Sequence, residues 1–282
     1  MSTIRNNCIA LLTDFGLTDP YTGLMKAVIK NINPNTDIID ITHNIQPQNI
    51  SQACFLLSKS YGFFPEGTIF ISVVDPGVGG RRKPIAVKTD KYTFLSPDNG
   101  LLSFLIPGRA KKKEHICEIR EITNPVFILK HISRTFHGRD IFSPAAAHLS
   151  AGTDFSGIGE KITEIRKLNT PDLICDNGKI RGNFIFADHF GNLITDIEKS
   201  FIDECSAHCE NKFFRINAGE YTFNRLNGSY EESEKGELLA IIGSYDTLEI
   251  SANCGNAAEA IPRWKEIRPE IDFKPTANKE LQ

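Results

Sequence analysis

The chain lacks features that mark several large classes of protein. None of the apolar runs in its 282 residues approaches the length of about 20 residues that a membrane-spanning helix requires. The amino terminus lacks the order of basic, apolar and small residues that marks a secretory signal, so we expect a cytoplasmic protein without a membrane partner. The sequence also has no Gly-Lys-Ser or Gly-Lys-Thr loop and no GxGxxG turn between a strand and a helix, which argues against an enzyme acting on a nucleotide phosphate.

Cysteine content and net charge exclude further classes. The seven cysteines are odd in number and scattered, several of them within apolar runs, so we expect reduced thiols and no disulfide framework. The formal net charge of −3 is close to balance and argues against a nucleic-acid partner. Cys205, His208 and Cys209 lie close together, but a structural zinc site usually needs a full set of ligands in paired spacings. No second pair lies nearby, so we expect no metal and interpret the cluster as a polar loop.

The strongest functional signal is the stretch VVDPGVGGRRK, which begins at Val73. The apolar run at residues 68–74 predicts a buried strand, and Asp75 follows it at the end where open α/β sheets bind their ligands. The glycines of the stretch let the backbone adopt positive φ angles and approach a ligand closely. Taken alone, the segment is also compatible with an ordinary Pro-Gly turn followed by solvated arginines.

Four further motifs accompany this stretch and favour the functional interpretation. TDFGLTD begins at Thr13 after an apolar run, and FHGRD contains His137 directly before a small-residue helix start. SPDNG begins at Ser96, and DHFGN begins at Asp188. This ordered set resembles the S-adenosylmethionine hydroxide adenosyltransferases, which are relatives of the fluorinase and chlorinase enzymes. The resemblance covers roughly residues 8–260, with the motifs in the same order as in that family.

The resemblance implies three catalytic residues, Asp75, Arg82 and His137. Family members carry an aspartate, an arginine seven residues later in the same loop, and a distant histidine in a His-Gly-Arg-Asp motif. This chain departs from the family at Arg81, where an acidic residue is common, and at Lys83, where a second arginine is common. Counted without a gap, Arg82 is the matching position.

The resemblance also implies a set of substrate-binding residues. Asp14 matches the carboxylate that hydrogen-bonds the ribose hydroxyls, a role suited to an acceptor of two donors, although a turn-capping aspartate is the alternative. The other matching positions are Asp188 and Asn192 for the methionine ammonium and the adenine edge, Phe190 and Phe223 for stacking on the base, Ser244 for the methionine carboxylate, and Ala257 for main-chain contact with adenine. Phe223 is equally compatible with a place in the core. Tyr245 stands where the halogenases carry an arginine.

The activity that the resemblance implies is hydrolysis of S-adenosylmethionine by water or hydroxide, giving adenosine and methionine, with no cofactor. Asp75, Arg82 and His137 would then activate the water. His137 is favoured as the proton acceptor, and Asp75 stays open as the alternative acceptor. Halide transfer is disfavoured, because fluorinases replace the Asp75 loop with a threonine-rich stretch and insert a long loop where this chain has only residues 88–95. A noncatalytic sensor of S-adenosylmethionine or adenosine is the alternative from another class.

The sequence predicts two domains. Apolar runs alternate with helical patterns in residues 1–168, which predicts an α/β sandwich domain with a mostly parallel sheet. Short strand-like segments separated by turn residues fill residues 176–264, which predicts a smaller antiparallel β-barrel or sandwich. The resemblance implies the barrel and a homotrimer whose sites are completed across a subunit boundary. Residues 265–282 are expected to form a polar carboxy-terminal tail.

Overall fold

The structure is a computed structural model that describes residues 7–106, 115–169, 171–207 and 215–273. The chain divides into two compact units, residues 1–169 and 170–282. None of the helices within the described residues has the length and apolar character required to cross a membrane.

A seven-stranded mixed sheet forms the centre of the first unit. Its strands are β1 (Cys8–Thr13), β2 (Asp37–Thr42), β3 (Ile69–Val73), β4 (Pro84–Thr89), β5 (Thr93–Pro97), β6 (Ile116–Glu121) and β7 (Lys161–Ile162). The spatial order is β2-β1-β3-β5-β4-β6-β7. Neighbours among β2, β1, β3 and β5 run parallel, whereas β4, β6 and β7 join the sheet through antiparallel pairs. The expectation of a mostly parallel sheet therefore holds for only half of it, since the β4–β5 hairpin reverses the chain direction.

Both faces of this sheet are covered, which explains the unbroken apolar character of its central strands. Ile9 and Leu11 of β1 pack into one hydrophobic cluster, and the alternating residues Ala10 and Leu12 pack into another. The first cluster includes side chains of α1 (Tyr21–Ile32) and α3 (Ser143–Ser150), and the second includes side chains of α2 (Ile50–Ser60). Strands buried on both sides in this way present their carboxyl ends as the accessible edge for a site.

The second unit contains two antiparallel sheets. The four-stranded sheet has the order β10-β11-β15-β14 and consists of β10 (Phe184–Ala187), β11 (Leu193–Glu198), β14 (Leu238–Ile242) and β15 (Thr247–Ala252). The five-stranded sheet has the order β13-β12-β16-β9-β8 and consists of β8 (Ile174–Asp176), β9 (Lys179–Arg181), β12 (Arg215–Ala218), β13 (Tyr221–Phe223) and β16 (Glu270–Asp272). The described part of this unit also contains the α-helices α4 (Lys199–Ser206) and α5 (Ala257–Ala260).

The two sheets of the second unit share one hydrophobic cluster. Leu193 and Ile250 of the four-stranded sheet and Ile216 and Ile271 of the five-stranded sheet belong to it. Within the described residues no ladder joins one sheet to the other, so the antiparallel character is confirmed and closure into a barrel stays a prediction.

The carboxy-terminal part of the chain differs from its expected form. β16 lies inside the five-stranded sheet with Ile271 fully buried, so the described part of the predicted 265–282 tail belongs to the second unit. A single isoleucine between charged residues is too short a pattern to predict this strand from sequence. Of the proposed cysteine and histidine cluster, Cys205 is buried in α4, while His208 and Cys209 lie outside the described residues.

Candidate active site

Asp75, Arg82 and His137 lie together in the first unit. Nε of Arg82 donates to Oδ1 and Oδ2 of Asp75 at 3.1 and 2.9 Å, and Nη2 of Arg82 donates to Oδ2 as well. The same Nη2 lies 2.7 Å from Nδ1 of His137. The side chains of Asp75 and Arg82 are only 4% and 6% exposed, so their ion pair is held largely out of water. One guanidinium thus links a carboxylate and an imidazole.

The loop that carries Asp75 and Arg82 is anchored on both sides. Nδ2 of Asn99 donates to the carbonyl of Val74 at 2.8 Å, which fixes the end of the chain that leaves β3. Gly79 has a φ of +74°, and a Cβ atom there would lie 2.3 Å from the carbonyl oxygen of Arg134. Only glycine fits this close backbone approach, which explains why the loop needs glycine in its middle.

His137 is held by the segment that follows it. It precedes a π-helical turn at Gly138–Phe142 that leads into α3, and the hydroxyl of Ser143 donates to the carbonyl of Gly138 at 2.8 Å. Asp140 is fully buried and accepts hydrogen bonds from the guanidinium of Arg139 and from the backbone N–H of Ser133. Asp140 therefore fixes the backbone around His137 and does not face the site.

The protonation state of His137 follows from its contact with Arg82. A guanidinium only donates, so Nδ1 of His137 must accept, and the proton of the neutral imidazole resides on Nε2. Burial, and then the positive charge of Arg82, hold the pKa of His137 below its ordinary value of 6.5. A neutral His137 with a free N–H can donate a hydrogen bond, but it has no free lone pair with which to take a proton.

Asp14 borders the same cavity. It follows β1 directly, and its Oδ2 accepts a hydrogen bond from the backbone N–H of Gln48 at 2.8 Å. Burial, together with the nearby charge of Asp75, raises the pKa of Asp14. The cavity has a volume of about 280 Å³, and its lining includes Asp14, Gln48, Asp75, Phe136 and His137. The described residues therefore bring four of the predicted site residues together in the first unit: Asp14, Asp75, Arg82 and His137.

A tight turn between β10 and β11 in the second unit contains Asp188, Phe190 and Asn192. The carboxylate of Asp188 accepts from the backbone N–H groups of Phe190 and Asn192, each at 2.9 Å, and from Nδ2 of Asn192 at 2.9 Å. Asn192 is buried, whereas Phe190 is 71% exposed and projects a large ring from the turn. An exposed aromatic ring at a rigid turn is suited to stacking on a planar ligand.

Ala257 adjoins this turn, while Phe223 belongs to the other sheet. The backbone N–H of Ala258 donates to the carbonyl of Gly191 at 2.9 Å, which ties the start of α5 to the Asp188 turn. Ala257 itself is fully buried. Phe223 ends β13 and is half-buried against the hydrophobic cluster, and it borders a separate cavity of about 620 Å³.

Ser244 lies in the β14–β15 turn, next to Tyr245 in the sequence. Its neighbour Tyr245 has a pKa raised by burial and by the charges of Asp188 and Glu249. Glu249 is buried on β15 and accepts hydrogen bonds from the hydroxyls of Tyr230 at 2.7 Å and Ser251 at 2.6 Å. Burial and the hydrogen bond to Glu249 raise the pKa of Tyr230 to about 12.

One group of side chains within the described residues has the spacing to hold a metal ion, and it is not part of the predicted site. Asp90, His115 and Cys117 have potential ligand atoms within 4.8 Å of one another, and all three residues are exposed. His115 and Cys117 lie 3.9 Å apart from Nδ1 to Sγ. The described residues around the first-unit cavity have no such grouping.

Sequence reasoning missed several residues that support the predicted ones, two of them in the first unit and one in the second. Gln48 adopts a φ of +67° and presents its N–H to Asp14, but nothing in its neighbourhood predicts that conformation. Glu249 had a usable signal, because a carboxylate in the strand TLEISA stands among side chains that are otherwise apolar or small. Asp140 gave no signal apart from its place in the His137 motif.

Comparison with known sequences identifies two matching domains. The N-terminal domain of the SAM hydroxide adenosyltransferase family matches residues 9–159, and its C-terminal domain matches residues 182–262. An (R)-S-adenosyl-L-methionine hydrolase from Thermus thermophilus is 32% identical over 90% of this chain and 94% of its own. A protein of the same name from Methanocaldococcus jannaschii is 31% identical over 90% of this chain and 91% of its own. A fluorinase from Nocardia brasiliensis is 25% identical over 90% of this chain and 93% of its own.

Solved structures share the fold. A crystal structure of an uncharacterized conserved protein from Thermotoga maritima is 36% identical, covers 94% of this chain and 99% of its own, and superposes with a TM-score of 0.83. A conserved hypothetical protein from Thermus thermophilus is 27% identical, covers 94% of this chain and 98% of its own, and has a TM-score of 0.71.

Proposed function

The chain belongs to the SAM hydroxide adenosyltransferase family, and on that premise we propose that it hydrolyses S-adenosyl-L-methionine to adenosine and L-methionine. The observation that carries the proposal is the bridge from Arg82 to Asp75 and His137, beside Asp14 in one cavity. Four relatives of 27 to 32% identity named as hydrolases of this substrate support it.

The reaction is a displacement at the ribose 5′ carbon. The oxygen of a water molecule forms a bond to that carbon while the bond from carbon to the sulfonium sulfur breaks, and its electron pair stays on sulfur. Methionine therefore leaves as a neutral thioether. Such a leaving group needs neither a metal nor a cofactor, and S-adenosylmethionine is the substrate. Holding the water in line with the breaking bond can supply several kcal/mol of the barrier.

The proton of the water needs an acceptor, and we assign this role to Asp75. What supports the assignment is that Arg82 occupies Nδ1 of His137 while Nε2 of the neutral ring carries its own hydrogen. His137 then orients the water by donating from Nε2, and Arg82 stabilises the negative charge that develops on oxygen. Asp75 accepts the proton and returns it to solvent after methionine has left. This division of labour reverses the preference for His137 drawn from the sequence.

Asp14 and the second-unit residues are proposed to bind the substrate. Asp14 has one oxygen engaged by Gln48 and can use the other for the ribose hydroxyls. The exposed ring of Phe190 supports stacking on adenine, and the turn around Ser244 is proposed to meet the methionine carboxylate. Phe223 is the least supported of these residues, because its ring packs partly into the hydrophobic cluster.

The relatives' names also suggest which epimer is used. They specify the (R) configuration, and we extend this preference to the present chain. The two epimers differ in configuration at the sulfonium sulfur, which carries a methyl group, the ribose and the methionine side chain. A site that holds both the ribose and the methionine end therefore places the methyl group differently in each epimer, and so distinguishes them. Comparing turnover of an epimerised mixture with turnover of the (S) form tests the preference.

Three further parts of the proposal rest on the family likeness. We propose a homotrimer with each site completed at a subunit boundary, a cytoplasmic location, and closure of the two second-unit sheets into a barrel. The first-unit cavity, at about 280 Å³, lies just below the range of ordinary ligand sites, which leaves room for a contribution from a neighbouring subunit. Further walls are then needed to enclose a substrate as large as S-adenosylmethionine.

Incubation with S-adenosylmethionine, in the presence and absence of fluoride or chloride, tests the function against its rivals. The proposal predicts equal amounts of adenosine and methionine that do not depend on halide. Formation of a 5′-halogenated adenosine would instead identify a halide transferase. Tight binding without any product would identify a sensor.

A further inference from the structure

A row of contacting polar side chains, buried at one end and exposed at the other, lies behind Asp14. Thr13 and His43 are 0% and 3% exposed; Thr13 is the last residue of β1, and His43 directly follows the last residue of the parallel strand β2. Oγ1 of Thr13 lies 2.8 Å from Nδ1 of His43. Nε2 of His43 lies 3.1 Å from Oδ1 of Asp40, although no regular hydrogen bond forms there, and Oδ2 of Asp40 accepts from Nζ of Lys26 at 2.6 Å. The row therefore runs from a surface lysine to a buried threonine.

The direction of each contact can be assigned. The backbone N–H of Phe15 donates to Oγ1 of Thr13 at 3.2 Å, which leaves the hydroxyl hydrogen of Thr13 free to point at Nδ1 of His43. Nε2 then carries hydrogen toward the carboxylate of Asp40. The opposite tautomer would set a bare nitrogen lone pair against that carboxylate, which is repulsive.

A shift in the pairing register of β1 and β2 places His43 where its ring can contact Thr13. The pairing of β1 with β2 changes between Leu11 and Leu12, so that Leu11 lies opposite Asp40 and Leu12 lies opposite Thr42. This irregularity moves His43 beside Thr13 at the strand ends. Irregular pairing of this kind often serves to re-aim a side chain next to an active site.

Thr13 and His43 are both hydrogen-bonded to the turn that carries Asp14. The carbonyl of His43 accepts from the backbone N–H of Gly16 at 2.8 Å, and Phe15 is tied to Thr13 as described above. Asp14 lies between these two anchors, and Gln48 holds its carboxylate from the other side. The ring of Phe15 contacts Phe136 edge-on, with ring centroids 5.8 Å apart, directly before His137.

We infer that His43 is a positioning residue, and that the contacts Asp40–His43–Thr13 fix the turn bearing Asp14 so that its carboxylate meets the substrate. The inference rests on the proposed function for the identity of that substrate. It goes beyond that function because it assigns a role to three residues that do not line the cavity. Their effect is expected on substrate binding and not on the displacement itself.

Two substitutions at Thr13 provide a matched test. Thr13→Val keeps the shape and removes the hydroxyl, which leaves Nδ1 of His43 and the N–H of Phe15 without their partner. We expect it to raise the KM for S-adenosylmethionine about tenfold, as loss of a buried hydrogen bond implies, with kcat changed by less than about threefold. Thr13→Ser restores the hydroxyl and should return KM to within about twofold of the original. A folded Thr13→Val variant with unchanged KM would overturn the inference.

A double substitution separates positioning from general stability. If Thr13 acts through Asp14, Thr13→Val should cause no further rise in KM when Asp14 is already replaced by alanine. Full additivity of the two changes would contradict the inference.

NMR measurements on the unaltered protein and on the two Thr13 variants test the contacts Asp40–His43–Thr13 without any assay of turnover. Nitrogen-15 NMR of the His43 ring should show hydrogen on Nε2 and a bare Nδ1, and amide exchange at Phe15 and Gly16 should accelerate in Thr13→Val but not in Thr13→Ser. Hydrogen on Nδ1 alone, or unchanged exchange, would refute these contacts. Absence of S-adenosylmethionine turnover in the unaltered protein, with the ring as expected, would refute the proposed function and leave the positioning of Asp14 intact.

Discussion

Arg82 is the residue on which the site depends, because it holds two partners with one group. Its Nε and Nη2 atoms hold Asp75, and the same Nη2 reaches Nδ1 of His137 at 2.7 Å. Only a planar group with several fixed donors can do this, since a lysine ammonium is a single point charge. The neighbouring Arg81 is exposed and serves as a natural control.

We therefore expect Arg82→Lys and Arg81→Lys to differ sharply. Arg82→Lys should lower kcat at least about a hundredfold, because the oriented donors toward Asp75 and His137 are lost while the charge remains. Arg81→Lys should leave kcat within about twofold. Steady-state kinetics of the two variants checks this, and equal losses at both positions would contradict the assignment of Arg82.

His137 gives the site a dependence on pH with a defined sign. Its pKa is held below 6.5 by burial and by Arg82, so the ring is neutral at neutral pH. Protonation would place a second cation against the guanidinium, so kcat/KM should fall as the pH drops through the lowered pKa of the folded protein. The unfolded chain binds the proton more readily, so folding stability should also decline as the pH falls from about 6.5 toward that lowered value.

The variant His137→Asn tests this origin of the pH dependence. Its amide oxygen can still accept from Arg82, but the group does not titrate. The part of the decline of kcat/KM that comes from His137 should therefore disappear from whatever activity remains, and the acid limb should change position. An unchanged acid limb would show that another group is responsible.

At the residue scale, the sequence predicted which residues lie at the site better than it predicted what each of them does. The ordered motifs placed Asp14, Asp75, Arg82 and His137, and the structure brings these residues together. The direction of proton transfer could not be predicted, because it depends on which nitrogen of His137 Arg82 occupies. Gln48 and His43 were missed for a similar reason, since their roles arise from backbone geometry and strand register.

At the scale of elements, the loop after β3 is the most constrained part of the site. Gly79 combines a φ of +74° with backbone contact to Arg134, whereas Gly236 has a φ of +84° and open space around it. Gly79→Ala should therefore lower the melting temperature by more than Gly236→Ala and should also reduce turnover. Alanine at either position is strained by about 1 kcal/mol, but only at Gly79 does a clash with backbone add to this.

Thermal unfolding of the two glycine variants, with activity measured beside it, checks that prediction. Equal shifts in melting temperature with full activity in both would mean that the close approach to Arg134 does not shape the loop.

Strands with simple apolar patterns were predicted well, and those fixed by long-range pairing were not. The strand predicted from the apolar run at residues 68–74 corresponds to β3 (Ile69–Val73), with small differences at its ends. β16 and the antiparallel pairing of β4 with β6 had no local signal. Such strands depend on distant partners for their stability, so local composition carries little information about them.

At the scale of the whole molecule, the proposed trimer is open to a direct test. Light scattering coupled to size-exclusion chromatography should give a mass about three times the monomer mass of 31.4 kDa. A monomer with full activity would contradict the proposal that a second subunit completes the site. An inactive monomer at high dilution that regains activity on concentration would support it.

The central claim is that water attacks the ribose 5′ carbon in this site, and the direct measurement is turnover in oxygen-18 water. Mass spectrometry of the products should find the label in the 5′-hydroxyl of adenosine and none in methionine. Asp75→Asn should form labelled adenosine at least about a hundredfold more slowly while it still binds S-adenosylmethionine. Unlabelled adenosine, or labelled adenosine formed at an undiminished rate by Asp75→Asn, would contradict the account.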